Sequence, residues 1–123
     1  MISEGLDKFL CYIRETEQYY RIATANEQEA NDATQDILHS IELEEHDYHE
    51  FAKLGKKLRE VRQQRRTAKD LMDQAYPVCE WADNNRQVIK SLELLLGAVR
   101  KAEKNAAGRI YTPRTKAVQE GIS

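Results

Sequence analysis

Between Gly5 and Gly55 the chain contains neither proline nor glycine. An uninterrupted stretch of that length, with apolar or small residues recurring every three or four positions, has one main solution: a long helix with a single buried stripe. The stripe reads Leu6, Phe9, Ile13, Thr16, Tyr20, Ala23, Glu27, Ala30, Thr34, Ile37, Ile41. Its spacing is that of a coiled-coil seam, with Glu27 as a polar residue at its centre. The expected helix covers about 3–45, with Ser3 as its N-cap, and about 40 residues make a rod on the order of 60 Å.

No glycine or proline marks the end of this rod, but Asp47-Tyr48-His49-Glu50 fits a capping box. Asp47 would accept from the amide three residues on, and Glu50 would reach back. A second helix follows over about 48–76, with Phe51, Leu54, Leu58, Val61, Arg65, Ala68, Met72 and Ala75 at the same spacing. Pro77 is expected to kink or end it near Tyr76, because proline lacks an amide donor and clashes one turn back. Val78, Cys79 and Ala82 continue the apolar pattern, which leaves both outcomes open. Asp83-Asn84-Asn85 offers a new N-cap for a third helix over about 84–107, and Gly108 is expected to close it in the left-handed conformation. Residues 109–123 lose periodicity and read as a tail.

These segments make the fold class all-α: a long antiparallel coiled-coil hairpin with a third helix, three-helix-bundle-like, in one domain over 1–108. The length of 123 residues suits a single domain, and the 33% charged residues exceed the ordinary quarter, as long exposed helices require. Folding the first two helices back to back sets a register in which facing residue numbers add up to about 95. Ile41 then meets Leu54, Ile37 meets Leu58, Thr34 meets Val61, Ala30 meets Arg65, Glu27 meets Ala68, Ala23 meets Met72 and Tyr20 meets Ala75. Large faces small in most layers. Glu27 and Arg65 fall within one turn of each other, a polar pair that fixes register more than it stabilises.

The net charge of −2 conceals a polar arrangement along the chain. Residues 1–50 carry 13 acidic and 3 basic side chains, whereas 51–69 carry 8 basic residues against Glu60 alone. The basic block suits either pairing with the acidic helix before it or a phosphate-binding face. It lacks interleaved aromatics, which argues against base stacking. Lys53, Lys56, Arg59, Arg62 and Arg66 lie off the seam and are expected on the surface. His39, His46 and His49 gather at the hairpin tip. His46 and His49, three apart among carboxylates, are a remote candidate for a divalent metal, and no metal or other cofactor is expected. Cys11 and Cys79 have no metal or redox spacing and suit a reducing compartment.

No glycine-rich phosphate loop or nucleophile elbow is present in the sequence, and no enzymatic activity is expected. No apolar run approaches the length of a membrane span, and Met1–Gly5 shows no secretory pattern, so the expected address is cytoplasmic. The apolar residues of the third helix form an unusually wide stripe: Val88, Ile89, Leu92, Leu95, Leu96, Val99 and Ala102, with Leu94 outside it. Gly97 within it suggests a notch for a closely approaching helix. That excess implies a homo-oligomer, most simply a dimer.

Leu54-Gly-Lys-Lys-Leu-Arg-Glu-Val-Arg-Gln-Gln-Arg-Arg66 and Arg109-Ile-Tyr-Thr-Pro-Arg-Thr115 resemble segments of small helical proteins of phages and prophages of Gram-positive bacteria. The resemblance implies an accessory protein that binds and inhibits a host protein, such as a defence nuclease complex. It brings no site residues with it. The sequence therefore leads to a non-enzymatic protein acting by protein–protein interaction, with Lys53, Lys56, Arg59, Arg62, Arg66, Leu94 and Gly97 as candidate contacts. An accessory nucleic-acid-binding protein using 53–69 is the alternative.

Overall fold

The computed structural model describes residues 1–109, which contain three helices and no strand. α1 spans Ile2–Leu43, α2 Tyr48–Asn84 and α3 Arg86–Ala107. The 42 residues of α1 make a rod of about 63 Å. α2 folds back along it, so the hairpin read from the seam is present, with a third helix added at its open end.

Helix boundaries differ from expectation where single side chains decide them. α1 starts at Ile2, with Met1 in the N-cap position and no side-chain cap. Ser3 is not a cap. It is buried inside the first turn, where its amide and hydroxyl donate to Glu103 Oε1 and Oε2 at 2.9 and 3.0 Å. Asp47 caps α2 by accepting from the Glu50 amide at 2.8 Å. The return half of the capping box is absent, because Glu50 turns its carboxylate to His46 instead.

Pro77 lies inside α2, which continues to Asn84 rather than ending near Tyr76. Burial of Ala75 and Ala82 on either side holds the helix through the lost hydrogen bond. The break comes at Asn85 (φ −129°, ψ 33°), which donates from its side chain back to the Trp81 carbonyl at 2.8 Å. Asn85 thus satisfies the end of α2 and leaves the start of α3 without a side-chain cap. Gly108 closes α3 at φ −90°, so the expected left-handed cap is not formed. Of the segment read as a tail, only Arg109 lies among the described residues.

Both α2 and α3 run antiparallel to α1. Along α2, Arg65 lies beside Glu27 and Asn31, Tyr76 beside Tyr20 and Cys79 beside Thr16. Along α3, Arg86 meets Glu17, Glu93 meets Arg14, Arg100 meets Asp7 and Glu103 meets Ser3. α2 and α3 therefore run in the same direction and divide α1 between them. α3 packs chiefly on α1 and hardly on α2.

This division produces two cores. Near the tip, Ala30, Ile37 and Val61 pack with Ala33, Ile41, Leu54 and Leu58. At the open end, Leu10, Ile13, Ala82, Ile89 and Leu96 pack with Leu6, Val78 and Leu92. Between them the seam is narrow and polar, carrying Ala23, Glu27, Arg65, Ala68 and Ala75. Leu10 is 1% exposed and Phe9 42%, the reverse of the expected seam. At this end α1 must face two helices, and the added contact with α3 draws Leu10 inward while Phe9 slides to the edge.

Candidate interaction surfaces

Where α2 approaches its end, Phe9, Tyr12 and Ile13 of α1 and Pro77, Val78 and Trp81 of α2 line an apolar dent of about 280 Å³. Phe9 and Trp81 meet edge to face, with ring centroids 6.4 Å apart and planes at 77°. Tyr12 stands exposed on the lip. The dent follows from local sequence. Pro77, Val78 and Trp81 share one flank of α2, while Ala75 and Ala82 carry the buried seam, so the bulky rings sit beside the core rather than in it. Arg86 fixes the nearby joint: its guanidinium donates to Glu17 at 3.2 and 2.7 Å and to Asp83 at 2.6 Å. Trp81 was missed, though its position one residue before seam residue Ala82 was the available signal.

A second, wider cleft of about 770 Å³ runs along the α1/α2 seam between Ala23, Ala30, Ala33, Ala68 and Leu71. It has Glu29, Lys57 and Glu60 on its walls, with small residues along the seam between them. The smaller dent has almost no polar lining and is the better site for an apolar side chain.

Lys53, Lys56, Arg59, Arg62 and Arg66 are all exposed, and none forms an ion pair among the described residues. Arg59, Arg62 and Arg66 recur at three-four spacing and share one outer stripe of α2. Arg65, by contrast, turns into the seam, where it donates from Nε to Asn31 Oδ1 at 2.9 Å and lies 4.0 Å from Glu27. The expected pair thus lies at the edge of ion-pair range, and Arg65 donates its hydrogen bond to a residue, Asn31, that the seam pattern did not include. Leu94 is exposed on α3. Gly97 is exposed too, and a Cβ placed there would meet nothing within 4 Å, so none of the described helices uses it as a notch.

The structure turns His46 and His49 to different neighbours. His46 is 11% exposed, with Nδ1 3.0 Å from Glu50 Oε2 and Nε2 2.9 Å from the Ser40 carbonyl. Both ring nitrogens face acceptors, an arrangement that favours the imidazolium, and the Glu50 bond above all holds its pKa above the ordinary 6.5. His49 instead packs edge-on against Tyr48. Among the described residues, no three His, Cys, Asp or Glu side chains gather as metal ligands. Cys11 and Cys79 are free and half-buried. Burial pushes the Cys79 thiol above its usual range, which makes it a poor nucleophile.

Among the described residues, no helix is long and apolar enough to cross a membrane. Comparison with protein-family models, with curated proteins and with solved structures gives no match.

Proposed function

We propose that this chain is a non-enzymatic, cytoplasmic helical protein that works by binding another protein. The observation that carries the reading is the apolar dent framed by Tyr12, Phe9 and Trp81. Aromatic side chains that are half exposed around an apolar hollow are the usual anchors of protein interfaces. The joint beside it is held by Arg86, so the hollow needs little ordering on binding. The resemblance to small phage proteins fits a host protein as the target and inhibition as the outcome.

The test is capture from a Gram-positive bacterial extract treated with nuclease. One protein retained by the native chain and lost with Tyr12→Ala/Trp81→Ala, at unchanged helicity, supports the reading. Retention unaffected by that double change overturns it.

The stripe of Arg59, Arg62 and Arg66, unpaired among the described residues, favours one alternative, contact with nucleic acid. A phosphate-driven complex weakens steeply as salt rises. Tight DNA or RNA binding at physiological salt, abolished by changing these three arginines to Glu, would assign the function to the stripe instead. The acidic α1 lies along the same rod and opposes such binding.

A further inference from the structure

α3 carries two apolar seams, and the chain covers one of them fully and the other only in part. Ile89 and Leu96 are buried against α1. Val88, Leu92, Leu95, Val99, Ala102 and Ala106 form a second line at alternating four- and three-residue steps, the repeat of a coiled-coil seam. Leu92 and Val99 are half-buried, while Val88 is 45% and Leu95 51% exposed. Leu92 leans on the open-end core, whereas α2 stops at Asn84 and hardly touches α3, which leaves Val88 and Leu95 open among the described residues.

We infer that this second seam binds α3 of another copy of the chain, antiparallel. The residues match themselves in that direction. Val88 falls opposite Ala106, Leu92 opposite Ala102 and Leu95 opposite Val99, so each layer sets a larger side chain against a smaller one. The flanking positions also suit a copy. On one side lie Ile89, Leu96 and Glu103, already engaged with α1. On the other lie Ser91, Ala98 and Asn105, which bring no like charges together. A parallel pairing would instead stack Leu92 on Leu92 and Ala102 on Ala102, crowding one end and leaving a gap at the other. The line is about 27 Å long, and at about 10 Å wide it offers on the order of 300 Å², below the standard area per partner. So small an interface makes the association weak and concentration-dependent.

The pairing uses a surface distinct from the aromatic dent, so either can fail alone. Sedimentation of the full chain is expected to show monomer below about 1 µM and dimer at about 100 µM. Leu95→Glu, and separately Val88→Glu at the more N-terminal layer, abolish the dimer at unchanged helicity, while Tyr12→Ala/Trp81→Ala leaves it intact. Orientation is read with a short bis-maleimide against the baseline set by Cys11 and Cys79. Ala98→Cys, near the two-fold axis, gains a cross-linked dimer. Ala106→Cys does not, because its two copies lie about 27 Å apart. A monomer at 100 µM overturns the proposal, as does a dimer indifferent to both Glu variants. Equal cross-linking at both cysteine positions overturns the antiparallel arrangement.

Discussion

At the scale of residues, His46 is the clearest case of a side chain whose surroundings dictate its charge. It lies between an acid and a carbonyl with almost no solvent. Its folded pKa is raised, so its contribution to stability is complete below the unfolded value near 6.5 and is lost as pH climbs through the higher folded value. The gap in melting temperature between the native chain and His46→Gln should be largest near pH 6 and shrink towards pH 8. A gap that stays constant or widens would remove the imidazolium from the tip. Sequence spacing placed His46 at the tip but could not foresee its partner, since Glu50 was equally suited to closing a capping box. The exchange of Leu10 for Phe9 in the seam was hidden for a related reason. A three-four repeat identifies a face, but adjacent hydrophobic residues offer two faces, and only the position of a third helix decides between them.

Helices and their register were legible where breakers were absent and seams were long. The aromatic and sulfur contacts of Tyr20 with Tyr76 and of Thr16 with Cys79 keep residue numbers that add up to 96 and 95. Helix ends were less legible, because Pro77 and Asn85 act through what surrounds them. Pro77 is tolerated inside a helix whose seam stays buried, and Asn85 breaks the chain by bonding backward to Trp81. The polar pair in the waist provides a test at this scale. Arg65 makes a good hydrogen bond to Asn31 and only a distant contact, 4.0 Å, with Glu27. At that length the Glu27 contact is no hydrogen bond, whereas a hydrogen bond to a charged group contributes about 1.5 kcal/mol or more. Double-mutant cycles by denaturant unfolding should therefore give a larger coupling for Arg65→Ala with Asn31→Ala than for Arg65→Ala with Glu27→Ala. The opposite ranking would show that Glu27 sets the register.

Taken as a whole, the molecule is a rod with a core at each end and a narrow, polar waist between. The acidic and basic blocks of the sequence become two faces of this rod rather than two partners in a salt-bridge ladder, since most of the block's outer cations remain unpaired among the described residues. For function, the sequence yields only an expectation of contact between proteins. The dent depends on Phe9 and Trp81, which are 72 positions apart in the chain and meet only because α2 returns along α1. The chain has a single tryptophan, and it lies at that dent. Fluorine NMR of fluorotryptophan-labelled protein therefore reads the proposed site as one resonance. Adding the unlabelled protein recovered by capture should shift or broaden that resonance, while duplex DNA at physiological salt should leave it in place. An unmoved resonance in the presence of a stoichiometric bound partner would contradict binding at the aromatic dent.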